Sequence, residues 1–139
     1  KEKDTLTNIR DSNEFVVNIV SESFAEQMVM CSTDFDSNVD EFEISGLHAK
    51  SSDKVKPPRL LESKISFECE LNQIVEIGKG NAGSGFVVIG TIVLFHIDDD
   101  VYKDGHILLD KLEPLGRLAG NKYTRPKDIL EISRKVKPE

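Results

Sequence analysis

The sequence predicts a mainly β protein, with long antiparallel strands curving toward a barrel and short helices gathered at one end. Three observations carry that reading. Ile65, Phe67, Cys69 and Leu71 alternate with Ser66, Glu68 and Glu70, the period of two expected of a strand with one buried face. Residues 86–97 are almost continuously apolar, as in a long strand covered on both sides over much of its length. Turn chemistry sits where strands must reverse, in the small, polar stretch 78–85 and again at Asp104-Gly105.

The elements follow in order. Asp4 or Thr5 can cap a short helix that buries Leu6 and Ile9 and stops at Asp11-Ser12-Asn13. Residues 15–20, Phe-Val-Val-Asn-Ile-Val, are rich in β-branched side chains and read as a buried strand. Ser21 or Ser23 then caps a second helix, on which Phe24, Met28 and Met30 or Cys31 recur at helical spacing as core residues. The acidic stretch 34–43 reads as a loop and a helical turn anchored by Phe42, and residues 46–58 as a surface loop stiffened by Pro57-Pro58.

The apolar parity of the alternating strand continues through Val75 and Ile77. Gly90, inside the long apolar run, marks a bulge or bend of the kind a closing barrel requires. Asp98-Asp99-Asp100 ends that strand. Residues 116–125 form a loop, Ile129, Leu130 and Ile132 a short last strand, and Arg134, Lys135 and Lys137 a frayed basic tail. No linker or repeat divides residues 1–139, which read as one domain.

With 38% hydrophobic and 31% charged residues, the composition is that of a globular chain. A net charge of −7 disfavours nucleic acid and anionic membrane surfaces, both of which need a basic face. No run approaches the ~20 apolar residues of a membrane span. Cys31 and Cys69 lack any zinc-type spacing, and Cys69 in an apolar alternation reads as a buried thiol, so a reducing cytoplasm is expected. Asp98–Asp100 beside His96 offers oxygen ligands but lacks the spacing of a calcium loop, and no metal is expected. His48, His96 and His106 have no nucleophile motif near them.

Several phrases, in order, resemble the flavin-reductase-like proteins, which bind FMN on a split β-barrel and include the flavoredoxin type. They are Lys3-Asp4-Thr5 with Asn8-Ile9; Glu14-Phe15-Val16-Val17-Asn18; Asp40-Glu41-Phe42 with Gly46-Leu47; Pro57-Pro58-Arg59; Glu68-Cys69; the run 90–98; and residues 115–123, Leu-Gly-Arg-Leu-Ala-Gly-Asn-Lys-Tyr. Together they span nearly the whole chain from Lys3 to Tyr123.

The resemblance implies a homodimer with FMN near the subunit interface, and NAD(P)H as co-substrate of an oxidoreductase. It places Lys3, Asp4 and Thr5 at the FMN phosphate, where a helix start offers unpaired N–H groups and a positive dipole end. A plain helix cap accounts for the same residues without it. Arg117, Gly120 and Tyr123 match a late motif whose first of two glycines is here Ala119. In that motif Arg117 meets an anionic edge of the cofactor and Tyr123 covers the ring, or both close the loop structurally. His106 is a candidate for lining the nicotinamide side. Family members also carry N-terminal strands with an Asn-x-Ala-Pro-x-Ser segment ahead of the Lys-Asp-Thr phrase, so a longer natural protein is expected. Two rival readings are an FMN-binding electron-transfer protein without nicotinamide activity, and a flavin-free interaction domain.

Overall fold

The structure is a computed structural model and describes residues 3–81 and 83–135; Lys137 lies outside them. Helix α1 (Asp4–Ser12) packs Leu6 and Ile9 inward, and Asn13 ends it in the left-handed region, its N–H donating to Ile9 O. The residue at the N-cap is Lys3, with no side-chain cap; neither Asp4 nor Thr5 takes that place, because both already lie in the first helical turn. Strand β1 (Glu14–Asn18) follows within two residues.

A single 3-10 turn (Glu22–Phe24) leads into α2 (Ala25–Met30). Ser21 at the N-cap of that turn makes no side-chain cap, and Ser23 lies inside the turn, so that Phe24 stands at the N-cap of α2. Ser21 is buried instead, and its hydroxyl donates to Leu112 O at 2.6 Å, tying this segment to the C-terminal third of the chain. Helix α3 (Glu41–Ser45) is capped by Asp40, whose carboxylate accepts from Phe42 N at 2.9 Å.

Two short strands, β2 (Ala49–Lys50) and β3 (Arg59–Leu60), pair across the loop between them. Strands β4 (Ile65–Ile77) and β5 (Gly85–Ile97) form the long central hairpin, and β1 pairs antiparallel with β4 on its other edge. The register shifts between Glu68 and Cys69 and again between Leu71 and Gln73, directly opposite Gly90. Beyond these irregularities the alternation is lost: Ile74 and Val75 are both half-buried, and the apolar parity does not carry through to Ile77, which is exposed.

Gly90 is required by a close approach. A Cβ there would stand 2.4 Å from Phe15 Cζ and 3.2 Å from the Glu70 carbonyl oxygen. Gly90→Ala is therefore expected to destabilise the fold by about 1–3 kcal/mol, the usual cost of overpacking, read as a lower urea midpoint at unchanged slope.

Beyond β5, a 3-10 turn (Asp99–Val101) leads to the hairpin of β6 (Tyr102–Lys103) and β7 (His106–Ile107), reversed by Asp104 and Gly105, both at positive φ as a type I′ turn demands. A four-residue helix α4 (Leu109–Leu112) and a last hairpin, β8 (Gly116–Arg117) with β9 (Tyr123–Thr124), complete the order, so part of the expected 116–125 loop is strand. Ile65, Val101 and Leu112 form the buried centre, with Ile19, Phe67 and Ile107 packed against it. Phe67 and Phe95 meet edge to face across the hairpin, centroids 5.1 Å apart.

Two expectations fail for one reason. Phe86, Val87, Ile89, Ile92, Phe95 and Ile97 on β5 are each substantially exposed, and the strand is not covered on both faces. Residues 129–132 form no strand, and Ile129, Leu130 and Ile132 stand exposed. A β-branched run becomes a buried strand only when another element lies against it, and among the described residues β5 pairs only with β4. The described strands accordingly do not close a barrel.

Candidate functional site

The predicted cofactor residues fall in two places. Lys3, Asp4 and Thr5 start α1, where the first N–H groups point outward and the dipole end is positive. Beside them lies a cavity of about 580 Å³, walled by Leu6, Ile9, Phe86 and Val88 and lined with polar groups at Lys3, Thr5, Asn81 and Ser84. That volume falls within the ~300–1,000 Å³ typical of small-molecule sites. An apolar wall, an ammonium, a hydroxyl and a helix start suit a ligand with an aromatic body and a phosphate tail. The donor set would suit FMN with Lys3 and Thr5 toward the phosphate; Asp4 is not part of this lining, and Glu76 adds one carboxylate to it, toward which the flavin's hydroxyls rather than its phosphate would turn.

The floor of this cavity is the β4–β5 hairpin, and Arg10 lies over the Phe86 ring, 5.2 Å from its centroid, tying α1 to that hairpin.

Arg117 and Tyr123 are brought together, but with each other. They face across the β8–β9 hairpin, the guanidinium carbon is 4.8 Å from the Tyr123 ring centroid, and Arg117 Nη1 donates to the phenol oxygen. Gly120 turns this hairpin at φ 63°, whereas Ala119 is not at positive φ, so alanine in place of the first glycine costs the turn nothing. Neither this cavity nor a smaller one also at the helix start, lined by Lys3, Asp4 and Thr5 with Cys31, Phe35 and Glu41, includes Arg117, Gly120 or Tyr123. His106 stands exposed on β7, opposite Lys103, and lines neither of them.

Sequence reasoning overlooked the most unusual charge in the molecule. Glu68 on β4 is fully buried, although alternation assigns it to the polar face with Ser66, which is buried too. Residues 51–60 fold over that face. Glu68 Oε1 accepts from Asp53 N at 2.8 Å, and Oε2 from Lys54 N at 2.6 Å and Val55 N at 3.1 Å. His96 Nε2 on β5 lies 2.5 Å from Oε1.

Burial by itself would raise the Glu68 carboxyl, but the Asp53 N–H, the His96 ring and the Lys54 and Val55 N–H groups together outweigh it and lower it to about 2. The same loop is pinned at its ends. Lys56 N donates to Glu14 Oε2 at 2.8 Å and Leu60 N to Asn18 Oδ1 at 3.0 Å, while Ser66 Oγ shares that Asn18 oxygen at 2.8 Å. The signal available in the sequence was only a glutamate in a strand opposite a loop of small and charged residues, and its backbone donors leave no side-chain pattern.

Comparison with known proteins is consistent with this geometry. Residues 1–115 match the family described as the flavin reductase like domain. An uncharacterized protein of Aquifex aeolicus is 37% identical over 124 residues, covering 88% of this chain and 61% of its own length. The crystal structure of nitrilotriacetate monooxygenase component B from Bacillus cereus superposes with a TM-score of 0.88 at 29% identity, covering 95% of this chain and 66% of that one. Pseudomonas fluorescens 2-nitrobenzoate 2-nitroreductase gives a TM-score of 0.83 at 32% identity, covering 95% and 64%. The chain thus spans a little over three fifths of the length of these relatives. The architecture is that of the split-barrel flavin reductases. No helix among the described residues is long and apolar enough to cross a membrane. The chain belongs to the flavin-reductase-like domain family.

Proposed function

We propose that the protein is an FMN-binding oxidoreductase of the flavin reductase type, using NAD(P)H and working as a homodimer in the cytoplasm. The observation that carries the reading is the start of α1, where Lys3, Thr5 and free helix N–H groups border a cavity with apolar walls. Bound there, a flavin would accept a hydride from the nicotinamide and pass its electrons on. The chain's own residues bind and orient: Lys3 and Thr5 take the anionic tail, and Leu6, Ile9, Phe86 and Val88 exclude water from the apolar side.

Separation of Arg117, Gly120 and Tyr123 from this cavity favours a site completed by a second copy. In that arrangement the stacked Arg117–Tyr123 pair of one protomer reaches the flavin of its partner, and His106 is the candidate on the nicotinamide side. A hydride step demands no general acid or base, so a catalytic triad is not needed.

The full-length protein is expected to purify yellow and to be bleached anaerobically by NADH or NADPH. A yellow protein that neither nucleotide bleaches would leave only flavin binding and overturn the reductase. A protein that takes up no FMN would overturn both.

A further inference from the structure

We propose that Asp53, Glu68 and His96 form a site for a divalent transition-metal ion of the zinc, cobalt and manganese group. The three offer one nitrogen and two carboxylate oxygens, and their ligand atoms all lie within 4.8 Å of one another. His96 Nε2 is 2.5 Å from Glu68 Oε1 and 3.9 Å from Asp53 Oδ2. A tetrahedral ion with bonds of ~2.0–2.2 Å holds its ligand atoms roughly 3.3 Å apart. The His96–Glu68 separation must therefore open and the His96–Asp53 separation close, each by less than about 1 Å, while the Asp53–Glu68 pair, within 4.8 Å, comes to the same spacing.

The scaffold suits that task. Glu68 and His96 stand on the adjacent strands β4 and β5, which fixes their spacing. The Glu68 carboxylate is already oriented by the N–H groups of Asp53, Lys54 and Val55, the kind of outer support that holds ligating carboxylates in metal sites. Those bonds do not have to break, since the ion takes the place of the proton between Nε2 and Oε1, and the imidazole then carries its proton on Nδ1.

Asp53 supplies the mobile third ligand. Its side chain is 65% exposed, and its backbone N–H, not its carboxylate, holds the loop. The exposed side leaves at least one position for water or a small ligand, the open geometry that distinguishes reactive from closed structural sites. One nitrogen and two oxygens favour ions of borderline hardness over calcium. The residues are separated by 15 and 28 positions in the chain, beyond any spacing motif.

The test is titration of the purified, chelator-treated full-length protein with Co²⁺, followed by visible absorption, and with Zn²⁺ and Mn²⁺, followed by the thermal midpoint. One equivalent is expected to bind saturably and raise the midpoint. Asp53→Asn keeps every hydrogen bond of the Glu68 carboxylate and is expected to weaken binding at least about tenfold, as is His96→Gln. No saturable binding of any of the three ions up to about 1 mM, a Kd worth only ~4 kcal/mol, overturns the proposal. So does binding that is unchanged in both variants, which would place the ion elsewhere.

Discussion

Replacing Glu68 with alanine is expected to cost the fold about 3–5 kcal/mol, enough to leave a marginal chain largely unfolded at 37 °C. Three consecutive backbone N–H groups and one imidazole lose their acceptor at once, at a position closed to water. Glu68→Gln keeps the shape and one acceptor oxygen but sets an amide N–H₂ against N–H donors, so its cost should lie between the wild type and alanine.

The charge also sets an acid limit. The Glu68 carboxyl falls from the ordinary value of 4.5 to about 2 on folding. A depressed carboxyl contributes stability that is complete above its unfolded value and lost as pH falls through its folded value. The contribution, about 3 kcal/mol, should therefore disappear between pH 4.5 and 2. Urea unfolding with chelator present, repeated down this range, should show that slope in the wild type and a flatter one in Glu68→Gln. Equal slopes would place the acid sensitivity in another group.

Glu68 also shows where the sequence stops being informative. The irregularity at Gly90 was legible although its cause, the Phe15 ring, is distant in the chain, and patterns with a local cause were legible as well: burial of Leu6 and Ile9 on α1 and the Asp104-Gly105 turn. Each of these last two depends on residues within a few positions of one another. Burial of Glu68 depends on a loop whose side chains, Ser51-Ser52-Asp53-Lys54, announce solvent while its backbone makes the contacts. Exposure of Phe95 and of Leu130 depends on what lies against them, which no periodicity encodes. The family phrases correctly indicated the fold, because residues such as Lys3 and Tyr123 are legible as a set. They did not reveal that the two halves of the expected flavin site line separate parts of this chain.

That separation makes the flavin prediction sharp. Lys3→Ala combined with Thr5→Val is expected to weaken FMN binding by about a hundredfold or more, some tenfold for each phosphate hydrogen bond that the ammonium or the hydroxyl no longer makes. Both side chains are exposed at the start of α1, and neither is part of the core, so the thermal midpoint should hold. Riboflavin, which lacks the phosphate, is the control. Wild type should prefer FMN over riboflavin strongly, and the double variant should lose that preference while riboflavin affinity stays nearly unchanged. If FMN and riboflavin weaken together, Lys3 and Thr5 shape the cavity rather than read the phosphate. Arg117→Ala separates the remaining case. In a site shared by two copies it should weaken FMN without altering the preference of the Lys3 end, because the phosphate cradle and the Arg117–Tyr123 hairpin then touch different parts of one ligand. An Arg117→Ala protein that binds FMN as tightly as wild type would confine the cofactor to the α1 cavity and make the stacked pair a brace of its own hairpin.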